Sequence, residues 1–227
     1  MPDFLEGEVV LLDKPLHWTS FDVVKKVRYA LQKATGVKKL KVGHAGTLDP
    51  LATGLLIICS GKKTKTIAEI QEMEKEYTGT IRLGATTPSA DLETDIDKVF
   101  DLQNLTEEMV REAATGFLGE NDQLPPAFSA KKINGKRAYI YARAGTEVEM
   151  KPKRVEIAKF EITAIELPYV QFCIRCSKGT YIRSIARDLG SKLEVGGHLT
   201  ALRRTKTGTY HIENALSVEE FVGQLKG

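Results

Sequence analysis

The sequence has no long hydrophobic run. No apolar stretch exceeds the five residues Leu55–Cys59, far short of the roughly 20 that span a bilayer. Its first residues, Met-Pro-Asp-Phe-Leu-Glu, are acidic and lack the charged-then-apolar pattern of an export signal. Cysteine is scarce: three thiols cannot all pair, which argues against a secreted disulfide framework and for a reducing, cytoplasmic setting. Nucleotide signatures are missing too. Gly61-Lys62 has no glycine five positions earlier and no Ser or Thr after it, and no Gly-x-Gly-x-x-Gly occurs. Cys173-x-x-Cys176 lies in a predicted strand, where residues three apart face opposite ways. With no second Cys pair or spaced His pair, it makes no zinc site. Core thiols are the expected state of Cys59 and Cys173, with Cys176 more open beside the Ser177-Lys178-Gly179 turn.

The remaining composition is that of a globular protein. The 227 residues are 42% apolar and 28% charged, enough for one large domain or two small ones with a core that needs no cross-links. The net charge of +3 hides a strong unevenness. Lys25 to Lys65 holds ten bases and one acid, Glu69 to Asp122 fourteen acids and four bases, and Leu124 to Arg154 eight bases and two acids. Basic segments separated by an acidic one suit a face for a polyanion and a solvated back. They equally suit exposed helix surfaces balanced in space by the acidic stretch.

Periodicity predicts a strand over Glu8–Leu12. A helix follows that Ser20 could cap, with Val23, Val24, Val27 and Leu31 at helical spacing and an end near Gly36. Leu55–Cys59 and Tyr77–Leu83 read as strands. Thr106 caps a helix with Met109, Val110, Ala113 and Phe117 on one face. Residues 124–152, rich in Gly, Pro and bases, read as a long excursion from the core. Val155–Ile165 and Tyr169–Cys176 read as paired strands joined near Pro168. Ile182–Leu193 is helical, with Ile185, Ala186, Leu189 and Leu193 inward, and Ser217–Glu220 is a capping box. The interspersed helices and adjacent strand pairs predict an α+β fold with a mixed or antiparallel central sheet flanked by helices and loops.

Two places could carry chemistry. In Gly43-His-Ala-Gly-Thr-Leu-Asp-Pro-Leu-Ala-Thr-Gly54, Asp49 is the only acid between Lys25 and Lys65. Local positive charge favours its ionised form, and Pro50 favours an extended Asp49. Such a carboxylate suits nucleophilic or general-base work; it also suits the capping of a turn, and spacing alone does not choose. In Ser177-Lys-Gly-Thr-Tyr-Ile-Arg183, Arg183 could pair with a buried carboxylate and Tyr181 could stack on a base. The same residues fit an exposed first-turn arginine and a packing tyrosine.

Taken together, these segments resemble the TruB family of tRNA pseudouridine synthases. The Gly43–Gly54 segment is similar to that family's signature. Further similarity lies in Asp13-Lys-Pro15, Lys75-Glu-Tyr77, Arg82-Leu-Gly84, Pro125-Pro-Ala-Phe-Ser-Ala-Lys131, Ser177–Arg183 and Leu202-Arg-Arg204. The resemblance covers nearly all of residues 8 to 222. It implies isomerisation of a T-loop uridine, position 55 of the tRNA, to pseudouridine, with no metal or organic cofactor. Asp49 would be the catalytic aspartate, attacking C1′ or removing the C2′ proton. Tyr77 would stack on the uracil and serve proton transfer from C5, and Arg183 would pair with Asp49. Tyr181 and Leu202 would line the uracil pocket, and His44 would fill the space left by flipped bases. Residues 124–152 would be a thumb closing on the T arm, and Lys25–Lys41 would lie along phosphates.

The resemblance further implies a single catalytic domain over 1–227, acting as a monomer on the tRNA T-stem loop. The small C-terminal RNA-binding (PUA-type) domain of many bacterial members is absent from the sequence. Two alternatives stand beside this reading. One is a non-catalytic tRNA chaperone on the same fold. The other is a cysteine-dependent uridine methyltransferase, for which no cofactor fingerprint is present.

Overall fold

In the computed structural model, residues 3–225 are described except 130, 131, 134, 147 and 148. The elements begin with β1 (Val9–Lys14), α1 (Ser20–Thr35), β2 (Val42–His44), β3 (Ala52–Ser60), α2 (Ile67–Glu72), β4 (Lys75–Leu83), β5 (Ala85–Thr86) and β6 (Lys98–Val99). Next come α3 (Glu107–Thr115), β7 (Gly119–Gln123), β8 (Lys132–Ile133), β9 (Lys136–Arg137), α4 (Ala138–Arg143), β10 (Lys153–Glu166) and β11 (Tyr169–Cys176). The last are α5 (Ile182–Lys192), β12 (Gly197–Thr207), β13 (Tyr210–His211), β14 (Leu216–Ser217) and α6 (Val218–Gln224). The fold is α+β with a mixed sheet. Two compact units emerge, Met1–Tyr77 with Leu202–Gly227, and Thr78–Ala201; β4 and β12 give residues to both.

In the first unit β1 runs antiparallel to β3, from Val9 opposite Cys59 to Lys14 opposite Gly54. β12 runs parallel to β3, with Leu202 opposite Ala52. β3 is buried on both faces, which is why its sequence is a continuous apolar run rather than an alternation. Leu56 and Ile58 pack with Leu12, with Val23, Val24, Val27 and Leu31 of α1, and with Phe221 of α6. Leu55, Ile57 and Cys59 face the other way, toward Ala45 and Ile70. α1 ends at Gly36, whose φ of 71° is the left-handed cap that glycine adopts without strain. Its N-cap differs from expectation. Thr19 caps the helix and forms a capping box with Asp22, while Ser20 is its first residue and points elsewhere.

In the second unit β10 pairs antiparallel with both β11 and β7. Phe160 links the helical layer to the sheet through edge-on contacts with Phe117 and Phe172. Two expectations are corrected here. Met109 of α3 is exposed, and the buried face is Val110, Ala113 and Ala114. Cys176 is buried and Cys173 partly exposed, because Cys176 shares the inward face of β11 with Val170, Phe172 and Ile174. Within the basic excursion, β8 and β9 form a hairpin that leads into α4.

Candidate active site

Asp49 lies in the loop between β2 and β3 of the first unit, and main-chain hydrogen bonds fix that loop at several points. Ala45 N–H donates to the Ile57 carbonyl at 2.9 Å, and Ala52 N–H donates to the Asp49 carbonyl at 3.0 Å. The Pro50 carbonyl accepts from His17 N–H at 2.8 Å. Ala52 is also the residue opposite Leu202, so the parallel pairing of β12 with β3 sets Leu202 beside a residue only three positions after Asp49. Asp49 itself is half-buried, neither sealed in the core nor free on the surface. Gly54 shows why this junction needs glycine. Its φ is 101°, and a Cβ there would stand 2.3 Å from the Arg204 carbonyl oxygen.

Two buried cations lie around this loop. Lys14, at the end of β1, is fully buried; its ammonium donates to the carbonyls of Trp18 at 2.6 Å, Pro15 at 2.9 Å and Pro50 at 3.4 Å. Burial lowers its pKa to about 8, opposed by the Asp49 and Asp13 carboxylates and assisted by the Arg204 charge. Arg204 is 1% exposed and donates to the carbonyls of Leu55 and Gly46. His44 lies at the end of β2. Burial lowers its pKa below the usual imidazole value, with the Gly46 backbone opposing and the Arg204 charge adding. At neutral pH it is therefore uncharged, and its Nδ1 has no hydrogen-bond partner among the described residues. Tyr77 is buried on β4. Beside it, Thr205 of β12 donates through its hydroxyl to the Glu76 carboxylate at 3.0 Å, pinning this end of β4.

The second unit holds Tyr181 and Arg183. Arg183, on the first turn of α5, is buried rather than exposed. Its guanidinium donates to the carbonyls of Phe128 at 2.8 Å and Ser89 at 3.1 Å, and its Nε lies 3.5 Å from the Asp91 carboxylate. Asp91 is held in turn. Its Oδ1 accepts from Glu93 N–H at 2.9 Å, and its carbonyl accepts from the Thr87 hydroxyl at 2.7 Å. Tyr181 is the N-cap residue of α5, and the Gln123 side-chain amide bonds both its N–H, at 2.8 Å, and its carbonyl, at 3.1 Å. The tyrosine backbone is thereby fixed. His44, Asp49, Tyr77 and Leu202 thus fall in the first unit, and Tyr181 and Arg183 in the second.

Residues 32–182 match the TruB family pseudouridylate synthase (N terminal domain), and residues 183–226 match the tRNA pseudouridylate synthase B C-terminal domain. The chain belongs to the TruB family. Similar TruB relatives include a Flavobacterium johnsoniae protein, 53% identical over 99% of this chain and 98% of its own length. Another, from Phocaeicola vulgatus, is 54% identical over 96% of this chain and 93% of its own length. Both are named tRNA pseudouridine synthase B. Among solved structures, a Cbf5-Nop10-Gar1 complex contains a chain with a TM-score of 0.72 and 26% identity; the match covers 97% of this chain and 54% of that one.

Several residues in each of the two units were not legible as site residues. Lys14 and Arg204 stand inside recognisable motifs, Asp13-Lys-Pro15 and Leu202-Arg-Arg204. Neither motif says that its cation is buried. Asp91 is one of fourteen acids in its stretch, so nothing local marks it as the acid beside Arg183. Gln123 stands at the end of a short polar strand and gives no signal at all. Among the described residues no group of three or more His, Cys, Asp or Glu is placed to hold a metal. No described helix is long and apolar enough to cross a membrane.

Proposed function

We propose that this chain converts the T-loop uridine at position 55 of tRNA to pseudouridine. The observation that carries the reading is the fixed, half-exposed Asp49 in a loop whose sequence is the TruB signature. The relatives named tRNA pseudouridine synthase B, aligned over nearly the whole chain, support tRNA as the substrate.

The reaction breaks the N1–C1′ bond, turns the uracil and forms a C5–C1′ bond; the C5 proton is lost and N1 gains one. A stacked uridine hides its glycosidic bond, so the nucleotide must leave the helix first. Asp49 then acts on the sugar, by attack at C1′ or by removal of the C2′ proton. Arg183, itself held by Asp91, pairs with and orients the Asp49 carboxylate. Tyr77 lies on the uracil and serves proton movement at C5, and Tyr181 and Leu202 complete the pocket. His44, uncharged and largely buried, fills the space left by flipped bases. The basic 25–41 segment contacts phosphates, and residues 124–152 close on the T arm. The protein acts as a monomer in the cytoplasm, with no cofactor.

The test is tritium release from a tRNA transcript labelled at uridine C5, with and without a U→C change at position 55. Rejoining through C5 expels the label, so release that vanishes with the U→C transcript is the expected result. Asp49→Asn should abolish release while tRNA affinity stays within a few-fold. No release from the wild type, with tight tRNA binding intact, would leave a tRNA-refolding protein instead.

A further inference from the structure

Two hydroxyl residues stand at the start of α1, and only one is needed to cap it. The Thr19 hydroxyl accepts from Asp22 N–H at 3.0 Å, and the Asp22 carboxylate accepts from Thr19 N–H at 3.1 Å. With the helix end satisfied in this way, Ser20 is free for another task. It is 2% exposed. Its hydroxyl accepts from Leu48 N–H at 2.8 Å and donates to the Leu48 carbonyl at 3.1 Å. One side chain therefore serves both main-chain groups of the residue just before Asp49. A hydroxyl can do this because it both donates and accepts.

The far side of Asp49 is held independently. The Pro50 carbonyl takes His17 N–H and the Lys14 ammonium, and the Asp49 carbonyl takes Ala52 N–H. Pro50 has no N–H to contribute, so its carbonyl is the one main-chain group it offers, while upstream of Asp49 Leu48 is held through both of its main-chain groups. Between Leu48 and Pro50, every main-chain carbonyl is taken. Catalytic groups on loops lose precision unless surrounding residues lock them. Ser20 supplies that lock from a rigid helix.

We propose that Ser20 is a positioning residue for Asp49, its hydroxyl gripping the Leu48 peptide groups and so setting where the Asp49 carboxylate meets the nucleotide. The proposal rests on Asp49 being the catalytic carboxylate. Ser20 is too buried to touch RNA, so its removal acts on the chemical step and not on binding.

The experiment measures single-turnover tritium release at 25 °C with saturating enzyme, using the folded monomer isolated by gel filtration. Ser20→Ala should lower the rate constant by about 10- to 100-fold, the scale of a displacement near 1 Å, with tRNA Kd within about twofold of wild type, since the residue makes no RNA contact. Ser20→Cys is nearly isosteric and bonds weakly through sulfur; it should fall between the two, and it decides the matter if Ser20→Ala does not fold. A role in stability alone would lower Tm and leave the rate constant of the folded protein unchanged. Wild-type rate constants in either folded variant overturn the proposal. Asp49→Asn runs alongside. Turnover by Asp49→Asn would overturn the catalytic reading itself; an inert Asp49→Asn beside a fully active Ser20 variant overturns only the positioning role.

Discussion

The Arg204 guanidinium donates to the Gly46 carbonyl at 3.1 Å, across 158 residues of sequence. Through Nε it also donates to the Leu55 carbonyl at 2.8 Å. A single buried cation from β12 thereby joins the start of the signature loop to the strand that follows it.

Arg204→Met should therefore destabilise the protein by about 2–4 kcal/mol, because two buried carbonyls lose a charged donor. Arg204→Lys should recover only part of this, since an ammonium lacks the fork that reaches both acceptors. Urea unfolding of the three proteins checks it. Equal midpoints would show that Arg204 carries no structural load.

Lys14 gives a pH-dependent prediction. Its folded pKa, about 8, lies below the ordinary lysine value of 10.5. Between those values the unfolded chain holds more protons than the folded one, so stability attributable to this group rises with pH. The stability difference between wild type and Lys14→Met should shift in favour of wild type as pH is raised from 7 to 10. Unfolding midpoints of both proteins across that range are the measurement; a constant difference would refute it.

Asp91 and Arg183 form a buried charged contact in the second unit. Asp91→Asn removes the carboxylate from this contact, and breaking such a pair costs about 3–5 kcal/mol. Because Arg183 is the proposed partner of Asp49, kcat should fall more than KM rises. A variant with lowered Tm and unchanged kcat would confine Asp91 to folding.

Much of this architecture was legible because strong local signals agreed with the tertiary result. α1 shows a helical stripe and a C-terminal glycine, and β3 shows an apolar run of strand length. β11 alternates along its length. Misreadings arose where one local pattern serves two ends. Thr19 and Ser20 are both competent caps, and only the distant Leu48 backbone decides which of them turns away. Cys176 looked open because it borders a turn, yet strand alternation carries it inward. In the site, Asp49 could be singled out by charge contrast, whereas Asp91 is hidden among acids. Lys14 and Arg204 were invisible as buried cations, since nothing local tells a solvated lysine or arginine from one enclosed by carbonyls 36 or 158 residues away.

RNA affinity should weaken with salt. If the bases of Lys25–Lys41 neutralise phosphates, raising salt from 50 to 200 mM should lower tRNA affinity at least about tenfold through counterion release. Filter binding across that range tests it, and a flat profile would move the contact away from this segment.

The first unit is assembled from both ends of the sequence, with β12 lying alongside β3. During synthesis, the loop bearing Asp49 emerges from the ribosome long before Arg204 exists. Gly46 and Leu55 must wait for β12 before their buried partner arrives. A nascent polypeptide that has not yet reached β12 therefore carries an unfinished loop. The fold ties the closing of the Asp49 loop to the synthesis of a strand more than 150 residues downstream.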